Sequence, residues 1–284
     1  MTQAITVISE ARDEARWVVA RARIPEDLAP WVVSWVGYSE RRPGLHRQRE
    51  LPSGVVHLIF EFGPPLAISG SGGEVCRPRR EQSFVVGLDD CFGLTEHAGE
   101  QAGVQVSLSP AAARRVLGMP LQLLTHQVVD VGALECFREA RRFGDLDGWE
   151  ERFGWLTAFL RRRLRLGNSR SDVAWAVERI RRSDGGVAVA QLAKELGFSR
   201  KHLATLFQDQ VGLTPKRYAE LTRFERLTQR IKASRGTSWA QLAVQLGFAD
   251  QAHLSRSVRR FSGLTPRGLG ALLEAPHLEL FESR

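Results

Sequence analysis

The hydrophobic pattern of the last third of the chain has a helical period and occurs twice. AQLAKELGF at 190–198 matches AQLAVQLGF at 240–248, and HLATLFQDQVGLTP at 202–215 matches HLSRSVRRFSGLTP at 253–266. In each copy, apolar residues three and four positions apart predict a short helix that a glycine ends, followed by a second helix. The offset between the copies grows from 50 to 51 residues across the turn, so the second copy has one extra turn residue.

Each copy has the layout of a helix-turn-helix, and a plain helical hairpin of a larger bundle is the alternative. Ser199 and Asp250 are suitable N-caps for the second helices. The small residues Ala193 and Ala243 allow the paired helices to cross closely. Because both copies share the spacing from alanine to glycine and end in Gly-Leu-Thr-Pro, the repeat favours two helix-turn-helix motifs.

One long helix is predicted between the two copies. Thr214 and Pro215 are suited to cap and begin it, and it continues to about Ala233 through apolar positions, which are Tyr218, Leu221, Leu227 and Ile231. About 20 residues at ~1.5 Å each give about 30 Å, close to the ~34 Å of one DNA turn. A rigid helix of this length can hold two recognition helices in successive segments of the major groove. Glycine at Leu221 and Thr222 is expected to harm DNA binding more than folding.

Residues 172–273 resemble the DNA-binding domain of the AraC/XylS family of bacterial transcription regulators. The resemblance is carried by GFADQAHLSRSVRRFSGLTP at 247–266 and by GFSRKHLATLFQDQVGLTPKRY at 197–218. Val258 stands where the family usually has Phe, and Leu269-Gly270 where it usually has Tyr-Arg. The resemblance implies double-stranded DNA as the partner.

The resemblance and the outward side of each second helix give the candidate DNA-binding residues. They are Ser199, Arg200, Lys201, His202, Thr205, Asp250, Gln251, Ala252, His253, Ser255, Arg256 and Arg259. Arg256 can pair with both acceptors of a guanine edge, and Gln251 can pair with an adenine. Because Ala204 and Thr205 are short, sequence preference is expected to depend mainly on the second motif and on Lys201.

Positive charge is concentrated in the same part of the chain. Residues 171–284 contain 18 Lys and Arg against 11 Asp and Glu, whereas residues 1–170 contain 22 against 21. An excess of basic side chains suits contact with phosphates, so the charge supports DNA binding.

The first 160 or so residues have short β-branched and aromatic runs separated by Gly and Pro. This pattern predicts a small antiparallel sheet or barrel, with strands at 31–36, 55–62, 66–69, 83–87 and 104–108. Helices are predicted from the cap Ser109 to Leu117, near 134–142 and over 149–166. Strands followed by helices resemble the sensing and dimerising half of AraC-type regulators, a cupin-like barrel with a helical pair.

The expected fold class is therefore α+β. A small, cupin-like β-barrel with helices precedes an all-α domain in which a linker helix joins two helix-turn-helix motifs. The predicted divisions are a sensing and dimerisation domain at 1–168, a DNA-binding domain at 172–274 and a tail at 275–284. The polar segment 166–171 is the predicted linker.

The predicted helix at 149–164 has one apolar stripe, formed by Phe153, Leu156, Phe159 and Leu160. Such a stripe suits either an antiparallel helix pair in a homodimer, the favoured interpretation, or packing on the protein's own barrel. A small-molecule effector or a partner protein is expected to bind this nearly neutral half, although no effector-specific motif is visible.

Candidate chemistry in the first half is limited. His57 and Glu61 are four residues apart, with His46 and Arg49 upstream, but the sequence has no His-x-His cluster of the kind that metal-binding cupins need. A structural His57 is favoured over a metal ligand. Alternating aromatic residues predict a core, with a ligand pocket as the alternative; they are Trp31, Trp35, Phe60 and Phe62.

The cysteines Cys76, Cys91 and Cys136 show no metal-binding spacing and are expected to stay reduced. No catalytic residue, cofactor or metal is predicted. No run of 18 apolar residues occurs, and the N-terminal segment is too charged for a secretory signal. A cytoplasmic, nucleoid-associated protein with no membrane partner is expected.

The predicted function is sequence-specific transcription regulation. The resemblance to the family favours activation over repression, and an activator is expected to have RNA polymerase as a partner. One alternative is a DNA-binding module fused to an enzyme such as an alkyl-transfer repair protein, for which Cys76 beside Arg77, Arg79 and Arg80 is the candidate nucleophile. The other is a non-specific architectural DNA-binding protein.

Overall fold

The structure is a computed structural model that describes residues 4–12, 14–70, 75–76, 83–131, 134–233 and 238–274. The strands are β1 Ile5–Arg12, β2 Ala15–Ala22, β3 Val32–Arg41, β4 His46–Glu50, β5 Val56–Glu61, β6 Ala67–Ser69, β7 Val75–Cys76, β8 Phe84–Val86, β9 Gly93–His97, β10 Glu100–Leu108 and β11 Val128–Asp130. The α-helices are α1 Pro110–Leu117, α2 Gly148–Leu166, α3 Ser171–Arg182, α4 Val189–Glu195, α5 Arg200–Val211, α6 Pro215–Ala233, α7 Trp239–Gln245, α8 Gln251–Ser262 and α9 Pro266–Leu273. Two 3-10 helices cover Leu121–Leu124 and Glu135–Asp145.

The strands form two antiparallel sheets. The larger sheet has the order β1-β2-β3-β10-β5-β8-β11, and the smaller has the order β4-β9-β6-β7. The α+β class is confirmed, and the single closed barrel is corrected to two open sheets. Within the described residues, no strand of one sheet pairs with a strand of the other, so the backbone ladder does not close around a barrel.

Six strands of the N-terminal part have no counterpart in the predicted strands, and they are β1, β2, β4, β7, β9 and β11. β1 and β2 form a hairpin in which Ile5 pairs with Ala22, although Val7 and Ile8 stay about half exposed. β4, with the sequence His-Arg-Gln-Arg-Glu, has no apolar period at all and is held by pairing with β9.

The helices after the strands are close to their predicted positions. Ser109 caps α1 by accepting a hydrogen bond from the N–H of Ala112 at 3.3 Å. The predicted helix near 134–142 is a 3-10 helix rather than an α-helix, and α2 begins at Gly148, one residue before the predicted start.

The core of the N-terminal part lies between the larger sheet and α2. The ring of Trp35 is 5.5 Å from that of Phe153, and the ring of Phe60 is 4.9 Å from that of Phe143. Trp35 and Phe60 are therefore core residues, as predicted. The apolar stripe of α2 is fully buried in this core, so the prediction that it serves a homodimer is wrong for its members, which are Phe153, Leu156, Phe159 and Leu160.

Helices α3 to α9 form the C-terminal part, and four residues, 167–170, connect it to α2. This predicted linker is held in place on both sides. A Cβ atom on Gly167 would lie 2.1 Å from the carbonyl oxygen of Arg115, and the N–H of Arg170 donates to Oε1 of Gln210 at 3.0 Å. Among the described residues, no helix combines the length and the apolar character that crossing a bilayer requires. The predicted tail at 275–284 lies outside the described residues.

Candidate nucleic-acid interface

The two sequence repeats have the same local structure, α4-turn-α5 and α7-turn-α8. Gly197 and Gly247, at the ends of the first helices, have φ values of 69° and 68°. This left-handed conformation is one that glycine adopts without a Cβ clash, which is how the chain turns sharply enough to begin a second helix. Ser199 and Asp250 cap the second helices by accepting hydrogen bonds from His202 N and His253 N. Both predicted motifs and both predicted caps are confirmed.

The first recognition helix, α5, exposes one side near its N-terminus. Arg200, Lys201, His202 and Thr205 are exposed there, while Leu203 and Phe207 are buried beneath them. The hydroxyl of Thr205 donates to the carbonyl oxygen of Lys201 at 3.2 Å, so it keeps its acceptor capacity for a partner.

The second recognition helix, α8, repeats this arrangement and also exposes two basic side chains. Its exposed side chains are Gln251, Ala252, Arg256 and Arg259. Leu254, Val258 and Phe261 are buried on the opposite side. Ser255 is half-buried and its hydroxyl donates to the carbonyl oxygen of Gln251 at 2.9 Å.

A histidine packs edge-on against a phenylalanine of the turn in both motifs. The ring of His202 is 4.9 Å from Phe198, and that of His253 is 5.4 Å from Phe248. Nδ1 of His253 also accepts a hydrogen bond from the N–H of Ala249 at 3.3 Å. The geometry therefore gives both predicted site histidines a part in shaping the turn.

The helix α6 joins the two motifs and packs against both recognition helices. It covers 19 residues, which matches its predicted extent, and its length is about 28 Å at ~1.5 Å per residue. The ring of Tyr218 is 5.7 Å from Phe207 of α5, and the ring of Phe224 stacks on Phe261 of α8 at 4.9 Å. Both recognition helices are thus fixed to one rigid element.

The N-terminal part contacts the rear ends of both recognition helices. The hydroxyl of Thr125 donates to the carbonyl oxygen of Gly212, just after α5, at 2.7 Å. Nη1 of Arg49 donates to the carbonyl oxygen of Ser262, the last residue of α8, at 2.8 Å. Within the described residues, these two contacts lie at the opposite ends of α5 and α8 from their exposed N-terminal turns.

Asp90, in the loop before β9, is an ion-pair partner of two arginines of the C-terminal part. Its carboxylate hydrogen-bonds to Arg260, and Oδ2 is 3.6 Å from Nε of Arg217. Arg260 also contacts Oε2 of Glu220 at 3.0 Å. Sequence reasoning assigned no role to Asp90, because a lone Asp-Asp pair in a loop carries no signal of a contact that lies 170 residues away.

His57, the candidate metal ligand of the N-terminal part, has the structural role that the sequence favours for it. Its Nε2 is 2.9 Å from Oγ of Ser53 and its Nδ1 is 3.2 Å from Oγ of Ser107. Burial lowers the pKa of His57 to about 4, so the ring is neutral at neutral pH. His46 instead contacts the carbonyl oxygen of Pro43 at 2.8 Å in its own turn.

Cys91 lies beside Asp89 and Asp90, and the three side chains are close enough to share a metal ion. Burial, followed by the two carboxylates, raises the pKa of the Cys91 thiol to about 11, so the thiol is protonated at neutral pH. Asp90 already holds Arg260, and Asp89 accepts from the N–H of Cys91 at 2.9 Å. Of the predicted nucleophile cluster, Arg77, Arg79 and Arg80 lie outside the described residues.

Two family models match the chain. Residues 192–270 match a helix-turn-helix domain, which covers most of both motifs and the helix between them. Residues 24–130 match a domain whose function is unknown, DUF6597, which covers the strands from β3 to β11.

Curated relatives match part of the chain. The chain is 30% identical over 80 residues to the probable transcriptional regulator LumQ of Photobacterium leiognathi, and 31% identical over 85 residues to a helix-turn-helix transcriptional regulator of Mycobacterium tuberculosis. The matches cover 28% and 30% of this chain and 32% of each relative. The chain therefore spans about a third of the length of the curated relatives it matches.

Several solved structures are similar to this chain, including one from Vibrio cholerae and one from Chromobacterium violaceum. ToxT from Vibrio cholerae O395 is 12% identical, with a TM-score of 0.48, over 82% of this chain and 98% of that one. A transcriptional regulator with an AraC-type DNA-binding domain from Chromobacterium violaceum is 25% identical, with a TM-score of 0.34, over 37% of this chain and 94% of that one.

Proposed function

We propose that this chain is a transcription regulator of the AraC/XylS family and that it binds a specific DNA sequence with α5 and α8. The observation that carries the proposal is the pair of equivalent, exposed recognition faces attached to one helix, α6. A bundle hairpin would bury these faces, whereas a helix that enters the major groove needs them exposed.

The exposed side chains of the two helices are suited to different contacts with DNA. Arg256 and Gln251 have the donor and acceptor geometry to distinguish guanine and adenine edges. Arg200, Lys201 and Arg259 add positive charge beside them, which suits phosphates or bases. Ser199 and Asp250 act first as helix caps, and the remaining candidates, Ala252, His253, Ser255, Thr205 and His202, supply shape and single hydrogen bonds.

The N-terminal part, taken as a sensing domain at 1–168, would report an effector or a partner to a DNA-binding domain at 172–274. Its contacts with Gly212 and Ser262 support this role, because they reach both recognition helices from behind. Activation with RNA polymerase as a partner follows the habit of the family. A homodimer would need a surface other than the buried stripe of α2.

The enzymatic alternative has weaker support. Its candidate nucleophile is Cys76, and the arginines beside it lie outside the described residues, so this alternative stays a prediction. The thiol of Cys91 is protonated and is a poor nucleophile, since the thiolate is the reactive form. The architectural alternative would not require two exposed faces with different side chains.

Selection of bound duplexes from a random DNA pool with the full chain tests the proposal. We expect one enriched sequence with two short elements about 10 base pairs apart, as two recognition helices on one side of the duplex require. Uniform recovery of all sequences would favour the architectural protein. Selective capture of methylated duplexes with loss of the methyl group would favour the enzyme.

A further inference from the structure

β1 is the outer strand of the larger sheet, and it is long and exposed. It covers eight residues, Ile5–Arg12, and pairs with β2 on one side. In the described part of the chain no strand pairs with its other side. Residues 6–11 are exposed, and Val7 and Ile8 are 50% and 45% exposed, one on each face of the strand. An open edge of this kind offers unpaired backbone N–H and C=O groups to another chain.

The remaining outer strands are shorter or carry more charge. Among the described strands, β11 at the opposite edge of the larger sheet has three residues, and β7 at one edge of the smaller sheet has two. β4, at the other edge of the smaller sheet, has the sequence His-Arg-Gln-Arg-Glu. Short strands and charged side chains keep an edge from pairing with other chains. Residues 5–11 of β1, ITVISEA, contain one charged residue and no proline, so β1 lacks this protection.

The backbone of β1 shows which residues can bond outward. The N–H of Arg23 donates to the carbonyl oxygen of Ala4 at 3.3 Å, and this pair continues the register in which Ile5 pairs with Ala22. Because hydrogen-bonded and non-hydrogen-bonded pairs alternate along an antiparallel ladder, the even-numbered residues of β1 bond to β2. The N–H and C=O groups of the odd-numbered residues therefore point to the open side, and these residues are Ile5, Val7, Ser9 and Ala11.

A second copy of β1 matches this edge. Two antiparallel copies related by a twofold axis at Ile8 place Val7 opposite the partner's Ser9, and Ile5 opposite the partner's Ala11. Every outward N–H and C=O of residues 5–11 is then paired. An axis at Val7 would leave Ala11 with no strand residue opposite it, and an axis at Ser9 would do the same to Ile5. The register centred on Ile8 is therefore the longest that the strand allows.

The side chains agree with this register. The two copies of Ile8 lie at a non-hydrogen-bonded position, where Cα atoms of an antiparallel pair are about 4.5 Å apart and side chains are closest. Glu10, the charged residue within 5–11, faces the partner's Thr6, and the partner's Arg21 lies beside that threonine in β2. Pairing thus covers the exposed apolar side chains, opposes no like charges and sets an acid near a base.

We infer that β1 is a dimerisation strand: it pairs with β1 of a second copy, and the two larger sheets join into one continuous antiparallel sheet. The strand precedes residues 24–130 and 192–270, which match family models, so the contact belongs to this chain rather than to the matched domains. It supplies the surface that a homodimer needs in place of the buried stripe of α2. As the arrangement of a regulator this inference rests on the proposed function, but dimerisation is measured without DNA, so the two can fail separately.

Sedimentation velocity of the full chain without DNA, over a wide range of micromolar concentrations, tests the inference. The test variants are Ile8→Lys and Ile8→Glu, each of which places two like charges face to face at the twofold axis. Because Ile8 is half-exposed, both variants should keep the fold, which their melting temperatures establish. The control is Val33→Lys, which adds a charge at a valine of β3 that is also half-exposed and lies outside the hairpin.

We expect the wild type to dimerise reversibly at micromolar concentrations, because one pair of strands is a small interface. Each Ile8 variant should dimerise about tenfold or more weakly, and Val33→Lys should match the wild type. An equimolar mixture of Ile8→Lys and Ile8→Glu should regain the dimer, because the ammonium of one variant then faces the carboxylate of the other. A role of Ile8 within a single chain could not produce this recovery.

Ser9→Pro gives a second test, since it removes an N–H that points outward and no bond to β2. It should weaken the dimer, whereas Ser9→Ala should not. Three results would overturn the inference: a wild type that stays monomeric at tens of micromolar, folded Ile8 variants that dimerise as the wild type does, or a mixture of the two variants that stays monomeric. A monomeric wild type that still selects one DNA sequence would overturn the dimer and leave the proposed function intact.

Discussion

The hydroxyl of Tyr218 donates a hydrogen bond of 3.1 Å to the carbonyl oxygen of Gly54, which lies 164 residues earlier in the chain. The N–H of the same glycine donates to Oε1 of Glu225 at 2.8 Å. The turn before β5 is therefore bonded twice to α6, the helix that spaces the two recognition helices. A change in the N-terminal sheets has a direct contact route to the helix that, in the proposed function, sets the spacing of the two motifs on DNA.

Arg256 is the side chain whose loss should most reduce sequence preference. Arg256→Ala is expected to cost about 1–3 kcal/mol at one base pair and to relax the preference there, because a bidentate contact to guanine is lost. Fluorescence anisotropy on the selected duplex and on a random duplex measures this. Arg259→Ala is the matched control on the same helix. An equal loss on both duplexes would mean that Arg256 contacts only phosphate.

The rigidity of α6 needs a different test from the one that the sequence suggests. Leu221 is fully buried and Thr222 is 7% exposed, so glycine at these positions would open a cavity and unfold the domain, contrary to the sequence-based expectation. Glu220 and Arg223 are half-buried and lie between Tyr218 and Phe224, the two ring contacts that hold the recognition helices, so they avoid this problem.

Glu220→Gly with Arg223→Gly should weaken binding to the selected duplex and leave the fold intact, because the helix is loosened between the contacts that hold the two motifs. Each glycine costs about 1 kcal/mol of helix stability relative to alanine. The double alanine variant is the control, since it removes the same side chains and keeps the helix. Gel-shift affinities and melting temperatures separate the two effects. Equal affinities of the two variants would show that the motifs do not act as a fixed pair.

His57 should make the protein less stable in acid. Its folded pKa of about 4 lies below its usual 6.5, so the ring is neutral in both states above pH 6.5 and its contribution is complete there. Below pH 6.5 the unfolded chain binds the proton first, and stability falls by up to about 1.4 kcal/mol per pH unit until pH 4.

Urea unfolding between pH 7 and pH 4.5 measures this slope. His57→Gln should flatten it, whereas the exposed His202→Gln should keep it. A wild-type slope that His57→Gln leaves unchanged would assign the acid sensitivity to other groups.

The C-terminal motifs could be predicted from sequence because their signals are local. Gly197, Gly247, Ser199 and Asp250 each act within a few residues, and their roles follow from backbone geometry alone. The start of α6 at Pro215 is local in the same sense.

The features that the sequence did not predict depend on contacts between residues far apart in the chain. β4 is polar throughout and exists because β9 pairs with it, and the stripe of α2 could not reveal whether another copy or the protein's own sheet covers it. Tyr38, Gly103 and Glu61 likewise lie in one row through strand register, which joins residues 42 to 65 positions apart. No pattern in one segment predicts such a contact.

Gly263 offers a separate test of the packing of the N-terminal part on α8. It ends that helix and has a φ of 69°. A Cβ atom there would lie 2.4 Å from Cε1 of Phe92 and 2.8 Å from Nη1 of Arg49. Gly263→Ala therefore combines backbone strain with a clash between the two parts. Gly247→Ala is the control, because Gly247 has nearly the same φ and nothing within 4 Å of the added atom.

The free energy of unfolding of both variants should fall by about 1–2 kcal/mol, because alanine is strained in the left-handed conformation. That of Gly263→Ala should fall by about 1–3 kcal/mol more because of the clash. Urea unfolding of the full chain measures the difference. Adding Phe92→Ala to Gly263→Ala should restore part of the stability lost to the clash, since the ring that the Cβ meets is removed. The same addition to Gly247→Ala should restore no stability. If Gly263→Ala and Gly247→Ala lose equal stability, then Phe92 and Arg49 do not rest on the end of α8 in solution. The route from the N-terminal sheets to the second recognition helix would then be limited to Asp90 and α6.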